Sequence, residues 1–164
     1  QKQRVLTLFN PESDRLGAGW NIIQSKTAIG SGGWEGLGWT QGSQAQLDFL
    51  PEGHTDFIIA VLAEEFGFRG VLLLFLIYAV ILGRGLVITW RAQSSFARML
   101  GGALVATFFF GLVVNLGMVS GLLPVVGVPL PMVSYGGTAM VSMMIAFGML
   151  MAISTERPVT RTMR

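Results

Sequence analysis

The chain has 164 residues, of which 52% are hydrophobic and 12% are charged. Because soluble domains carry about 25% charged residues, this composition predicts a membrane protein, and its abundance of apolar residues excludes a disordered chain. Cysteine is absent, which excludes a disulfide framework, and the net charge of +2 is too small for a nucleic-acid-binding surface.

Charge is distributed unevenly along the chain. Residues 1–65 contain four basic and eight acidic side chains, which give a net charge of −4. Residues 66–164 contain seven arginines and one acid, Glu156, which give a net charge of +6. The sequence therefore consists of an acidic, polar first third and an apolar remainder that is punctuated by arginines.

The first predicted element is the polar segment 1–56, which is too long for a simple connection between helices. Within it, residues 20–29 place apolar side chains at a helical spacing. This pattern predicts a short amphipathic helix on the membrane surface, with Gln24 and Lys26 on its polar side.

A glycine-rich stretch, residues 30–39, follows this helix. It lacks the Gly-Lys-Ser/Thr ending of a Walker A loop, and Glu35 stands where a dinucleotide fingerprint needs its third glycine. Trp34 and Trp39 favour anchoring at a membrane interface instead of nucleotide binding.

Acidic side chains and the one histidine of the chain occur together just before the first apolar helix. Glu52, His54 and Asp56 fall within five residues. A single histidine excludes zinc sites built from several, whereas a Ser-His-Asp triad stays open, although no nucleophile-elbow motif supports one. Thr55 or Asp56 is the predicted N-cap of the helix that follows.

Two further acids, Glu64 and Glu65, lie close to the start of the first apolar span. Charged side chains in that position are unfavourable unless they are paired. We therefore expect structural ion pairing for both, with Arg69 or with another helix, in preference to a catalytic role.

Two apolar stretches predict three membrane-spanning helices. Residues 71–88 carry one charge, Arg84, near one end, and fit a single span. Residues 99–155 carry no charge and would form a helix of roughly 85 Å, far longer than a membrane core of about 30 Å. Prolines between residues 124 and 131 mark the turn.

The predicted fold is all-α, a polytopic helical membrane protein fragment. Arginines cluster around residues 84–98 and in the tail, and this bias assigns both regions to the cytoplasm. Because the chain begins at Gln1 without a signal peptide, we expect it to be the C-terminal part of a longer membrane protein. The predicted order is an extracytoplasmic loop (1–56), a helix that enters and spans the membrane (57–90, span about 70–88), a cytoplasmic loop (91–99), a transmembrane helix (100–122), an extracytoplasmic Pro-rich loop (123–133), a transmembrane helix (134–154) and a cytoplasmic tail (155–164).

Several long runs of the sequence resemble one known family. They are QKQRVLTLFNPESD, LGAGW, IIQSK, AIGSGG, QLDFLPEGHTDF, VLAEEFG and PLPMVSYGG. In this order they resemble the SEDS family (shape, elongation, division and sporulation; the FtsW/RodA/SpoVE proteins). The first run is most similar to the RodA-type, elongation members, and the resemblance covers essentially the whole chain.

The resemblance implies a peptidoglycan glycosyltransferase of the bacterial inner membrane, with its C-terminus in the cytoplasm. Such enzymes polymerise lipid II and work with a class B penicillin-binding protein of the elongation machinery. The essential acid of the family lies in an HTDF motif, which here is residues 54–57 and assigns the catalytic role to Asp56. Gly53 departs from the arginine that many relatives carry there, and Ser134, Tyr135 and Gly136 are implied to line the cavity that faces this motif.

The chemistry of glycan elongation is consistent with these residue types. A carboxylate at the membrane surface can serve as general base for the attacking sugar hydroxyl. The leaving pyrophosphate needs positive charge, for which Lys26 is a candidate and a divalent cation, Mg²⁺ or Mn²⁺, is an alternative; no metal ligands are assigned. The predicted substrate-binding residues are Gln24, Ser25, Lys26, Glu52, His54, Thr55, Ser134, Tyr135 and Gly136.

Two other functions remain alternatives. A transporter that flips lipid II needs charged residues along a path across the membrane, and the predicted spans contain few. A scaffold that recruits the penicillin-binding protein does not explain the acids around Asp56.

Overall fold

A computed structural model describes residues 18–42 and 55–155 of the chain. Four helices make up the regular structure of these residues, which confirms the all-α prediction. The predictions for Glu52, Gly53 and His54 lie outside the described residues. The helices are α1 (Ala18–Gly32), α2 (Ile58–Arg91), α3 (Ser95–Val119) and α4 (Gly137–Thr155).

Three of the helices, α2, α3 and α4, are long and apolar enough to cross a membrane, as predicted for a multi-pass membrane protein. Their bounds differ from those expected. Helix α3 begins five residues earlier than the predicted residue 100, because the Ser94 side chain caps it by accepting a hydrogen bond from the Ala97 amide at 3.0 Å. The connection between α2 and α3 is therefore shorter than predicted.

Helix α2 is broken at Gly67, whose backbone has φ 66° and ψ −166°. The glycine loop, residues 33–42, lies against this break and hydrogen-bonds to the backbone groups that the break frees. The Leu37 amide donates to the Glu64 carbonyl at 2.9 Å, and the Phe68 amide donates to the Gly33 carbonyl at 3.0 Å. The glycine-rich stretch thus has a structural role in closing the helix break.

Helix α1 packs against α2 and α3. Its inward face consists of Ile22, Ser25 and Ala28, all buried, whereas Ile29 is partly exposed. Ser25 was not among the apolar positions expected for this helix, and a serine can turn inward when its hydroxyl is hydrogen-bonded. The position of α1 on the membrane surface stays a prediction. Ser25 donates to the carbonyls of Ile22, at 2.9 Å, and Val119, at 3.0 Å.

The three long helices pack through an aromatic cluster and through glycine contacts. The rings of Tyr78 on α2, Phe108 on α3 and Phe147 on α4 follow one another with centroids 5.5 Å apart at each step. Near the connection between α2 and α3, a Cβ added at Gly101 would lie 2.8 Å from Thr89 Oγ1, so the two helices are in close contact there.

A proline loop, residues 120–136, connects α3 to α4 and covers one end of the bundle. Leu130 of this loop is buried, and the Tyr78 hydroxyl of α2 donates to the Pro131 carbonyl at 2.6 Å. The loop is therefore tied to the helices beneath it, and the residues just before α2 lie against it.

Candidate active site

Asp56 lies in a turn, residues 55–57, that leads directly into α2. The N-cap of α2 is Phe57, and no side chain makes a capping hydrogen bond there. The prediction that Thr55 or Asp56 caps the helix was therefore wrong. Phe57 is completely buried, and this anchor starts the helix one residue later than expected. The Asp56 carboxylate therefore makes no capping hydrogen bond to α2.

The main chain of this turn is held by two side chains from elsewhere in the fold. The Asn115 amide of α3 donates to the carbonyl of Asp56 and to the carbonyl of Val128, both at 2.8 Å. The Ser134 hydroxyl donates to the Thr55 carbonyl and accepts from the Leu130 amide. Each side chain thus joins the turn to the proline loop.

The Asp56 carboxylate itself receives no hydrogen bond or ion pair from the residues that the structure describes. Its Oδ2 atom lies beside Gly127, where an added Cβ would be 3.2 Å away. Partial burial removes water from the carboxylate and raises the pKa of Asp56 above its ordinary value of 3.8. Asp56 therefore combines a fixed backbone with a partly desolvated carboxylate that has no partner among the described residues.

Lys26, the predicted pyrophosphate-binding residue, lies against the same loop. It is on the exposed face of α1, and a Cβ added at Gly121 would be 2.8 Å from its Nζ atom. Gly121 and Gly127 both have positive φ, at 71° and 81°. Lys26 and Asp56 thus both contact one short stretch of the proline loop, at two glycines whose conformations favour no other residue.

The remaining predicted substrate-binding residues are placed differently. Ser25 is completely buried with its hydroxyl hydrogen-bonded, so we revise its role from substrate contact to packing. Gln24 is half-buried on α1, and Tyr135 is exposed in the proline loop. The carbonyl of Gly136 accepts from the Met140 amide at 2.9 Å as α4 begins. Predicted contacts of Glu52 and His54 stay predictions.

The charged residues near the helix break make structural contacts. Arg69 forms an ion pair with Glu35 of the glycine loop at 3.1 Å, between largely exposed side chains. The Glu65 carboxylate accepts from the Thr40 amide at 3.1 Å. Glu64 is completely buried, with its carboxylate beside Gly42. Arg69 thus pairs with the loop, while ion pairing of Glu64 and Glu65 stays a prediction.

Metal ligation finds limited support in this region. In the parts of the chain that the structure describes, no three His, Cys, Asp or Glu side chains come together as a metal site would require. Asp56 is the described carboxylate at the proline loop and can contribute one ligand to a cation that is held mainly by substrate oxygens.

Two residues that hold the proline loop were missed by the sequence predictions. Asn115 and Tyr78 both lie inside apolar spans and bond to carbonyls that belong to the proline loop or to the turn before α2. Asn115 is the sole Asn, Gln or charged residue in the 57-residue stretch 99–155. A polar side chain in such a stretch is unfavourable unless it is hydrogen-bonded, and this signal could have found it.

Comparison with known proteins gives consistent matches over nearly the whole chain. The family model FTSW_RODA_SPOVE, described as "Cell cycle protein", matches residues 1–158. The peptidoglycan glycosyltransferase MrdB of Escherichia coli K12 is 59% identical over 157 residues, which cover 96% of this chain and 42% of that protein. The peptidoglycan glycosyltransferase RodA of Treponema pallidum is 41% identical over 157 residues, 96% of this chain and 36% of RodA.

The fold is also similar to a solved structure. A chain from the structure reported as "Structural coordination of polymerization and crosslinking by a peptidoglycan synthase complex" superposes with a TM-score of 0.75 at 28% identity. The match covers 94% of this chain and 41% of the other. The chain thus spans less than half the length of the relatives it matches, and it belongs to the FtsW/RodA/SpoVE family of cell cycle proteins, the SEDS family.

Proposed function

We propose that the protein containing this chain is a peptidoglycan glycosyltransferase that polymerises lipid II into glycan strands during cell elongation, with Asp56 as general base. Relatives named peptidoglycan glycosyltransferases support the activity. The observation that supports the site is the contrast within one residue. The main chain of Asp56 is held by Asn115, whereas its carboxylate is unpaired among the described residues.

In the proposed reaction, the 4-hydroxyl of the acceptor sugar attacks the anomeric carbon of the donor. A new C–O bond forms, the bond from the anomeric carbon to the pyrophosphate oxygen breaks, and the lipid pyrophosphate leaves with that electron pair. The Asp56 carboxylate takes the hydroxyl proton. A raised pKa makes the carboxylate a stronger base, and general-base catalysis typically contributes about 10²–10⁴-fold.

Charge that develops on the leaving pyrophosphate needs a cation nearby. Lys26 is suited to this role because its ammonium group is exposed and lies at the same loop as Asp56. A divalent cation, Mg²⁺ or Mn²⁺, bound by the pyrophosphate and by Asp56 is the alternative. The two differ in that a Lys26 role predicts activity in the presence of EDTA.

We propose the bacterial inner membrane as the location, with Asp56 on the extracytoplasmic side and the C-terminus in the cytoplasm. The arginines around residues 84–98 favour this orientation. The similar solved structure comes from a peptidoglycan synthase complex, which supports a class B penicillin-binding protein as partner.

The test is polymerisation of labelled lipid II by the full-length protein with its partner, compared between wild type and Asp56→Asn. We expect the variant to lose at least about 100-fold in rate while it still folds and binds the partner. The matched control is Glu35→Gln, which removes an exposed carboxylate on the glycine loop and should polymerise normally.

The alternatives give different results when variants of Asp56 are compared in three assays. Polymerisation by Asp56→Asn at the wild-type rate contradicts the proposed base. Loss of headgroup translocation in liposomes, with polymerisation intact, would instead indicate a transporter. Normal growth of cells that depend on Asp56→Ala would indicate a scaffold.

A further inference from the structure

We infer that Asn115 is a positioning residue, which holds the turn that carries Asp56 against the proline loop at the depth where the carboxylate functions. This inference rests on the proposed role of Asp56 as general base.

Asn115 lies inside helix α3. Its side chain is completely buried, and the residues next to it in α3 are apolar. A buried amide N–H in an apolar span is unfavourable unless it is hydrogen-bonded inside the protein; the Oδ1 atom of Asn115 has no such partner among the described residues. Packing alone would be satisfied by a leucine of similar size, so the amide needs another explanation.

The Asn115 amide binds two carbonyl groups. Both of its N–H groups are used, one on the carbonyl of Asp56 and one on the carbonyl of Val128, at 2.8 Å each. Neither carbonyl belongs to α3 itself. Asn115 therefore connects the turn before α2 with the proline loop through one rigid planar group.

This connection controls how the proline loop covers the Asp56 carboxylate. Gly127, next to Val128 in the loop, lies beside the Asp56 carboxylate. The amide thus sets how far the carboxylate is covered by the loop, and coverage determines both its position and its loss of solvation. Ser134 supports the same arrangement from the neighbouring Thr55 carbonyl.

Few other titratable groups of the described residues lie near this assembly. Among the described elements packed around the loop, α1 contributes Lys26, α2 contributes Tyr78 at Pro131, and the loop contributes Tyr135. Helix α3 carries one charge, Arg98, in its first turn, and α4 carries none. Among the described residues at the loop, Asp56 is the carboxylate to which a change in the acid side of the pH profile is assigned.

The test compares Asn115→Leu with wild type in the full-length protein with its partner, using labelled lipid II between pH 4 and 8. Loss of both N–H donors frees the turn and lets water reach Asp56. We expect kcat to fall about 10- to 100-fold, since a misplacement of about 1 Å has effects of this size, with little change in KM. The midpoint of the acid limb should move to lower pH.

Tyr78→Phe is the matched control. It removes a buried hydrogen bond to the same loop, but that bond does not involve the turn carrying Asp56. We expect it to lower stability without moving the acid limb. If Asn115→Leu also lowers the amount of folded protein with an unchanged midpoint, the inference is overturned and Asn115 is a packing residue.

Amide hydrogen exchange separates this inference from the proposed function. Asn115→Leu should speed exchange in peptides covering 55–61 and 126–134, whereas Tyr78→Phe should act on the second alone. Unchanged exchange at 55–61 overturns the inference and leaves the role of Asp56 intact. Faster exchange with a normal pH profile instead counts against Asp56 as the base. If Asn115→Leu does not accumulate, Asn115→Gln is used in its place. This variant keeps both donors on a longer side chain, so the midpoint of its acid limb should move in the same direction by a smaller amount.

Discussion

Two interruptions of the helical bundle are closed in different ways. At Gly67 the glycine loop closes the break in α2 by backbone-to-backbone hydrogen bonds. At the other interruption the proline loop meets the turn 55–57, and the bonds come from the side chains of Asn115 and Ser134. The first closure depends on backbone groups that come close together at glycines, whereas the second depends on two particular side chains.

The difference indicates where each region tolerates change. Backbone pairing does not involve the outer side chains of the glycine loop. Trp34 stacks on Phe68 and Trp39 contacts Phe66 edge-on, and both tryptophans stay largely exposed. Side-chain pairing leaves the backbone of the turn dependent on a few buried donors, but it fixes Asp56 in place. The catalytic candidate thus lies in the closure that single substitutions can retune.

The largest loss of stability is expected from a substitution that disrupts the first closure. Gly67→Ala places a Cβ on the amide nitrogen of Gly36 in a conformation, φ 66°, that alanine rarely adopts. We expect a loss of about 3 kcal/mol or more in the free energy of unfolding, from strain and overlap together. Denaturation in detergent micelles, followed by tryptophan fluorescence, measures this loss.

Gly83→Ala is the control for that measurement. Gly83 lies in the same helix, and a Cβ there meets nothing within 4 Å. Alanine should therefore stabilise α2 by up to about 1 kcal/mol through its higher helix propensity. Equal destabilisation by both substitutions would show that the break at Gly67 has no special dependence on glycine.

A smaller effect is expected from the second closure. Ser134→Ala removes the donor to the Thr55 carbonyl and the acceptor for the Leu130 amide. Leaving such groups unsatisfied and largely buried reduces stability by about 1–3 kcal/mol. The same unfolding assay measures it, with Ser142→Ala, an exposed intrahelical hydroxyl on α4, as a control that should change little.

The sequence predicted the parts of this comparison that depend on local pattern. Apolar length identified the three spans, and the HTDF resemblance identified Asp56. The inward face of α1 was not predictable from hydrophobic periodicity, because the Ser25 hydroxyl turns inward to bond a carbonyl 94 residues away. Asn115 was missed for the same reason, since its partners come together after the helices pack.

Asp56→Asn tests how the carboxylate affects the second closure. The ionised carboxylate should lower the stability of the closure that holds it. The folded-state pKa of Asp56 is raised, so the folded protein binds the proton more tightly than the unfolded chain does. This contribution disfavours folding at neutral pH and is relieved as pH falls through the raised pKa towards 3.8. We expect the variant to be at least as stable as wild type at pH 7, by the same unfolding assay, while inactive. A clear loss of stability at pH 7 would mean that the ionised carboxylate has a stabilising partner.

The smallest effect is expected at the rim of the glycine loop, where Glu35 and Arg69 form an ion pair with side chains 74% and 62% exposed. Water and salt screen such a pair, so Glu35→Gln should change the free energy of unfolding by about 0.5 kcal/mol or less. The difference from wild type should shrink further in about 1 M salt, which shortens the screening length to about 3 Å. A loss of several kcal/mol at both ionic strengths would mean that side chains close the helix break as well. The two closures would then differ in degree, because the backbone bonds at Gly67 would need the ion pair to hold them.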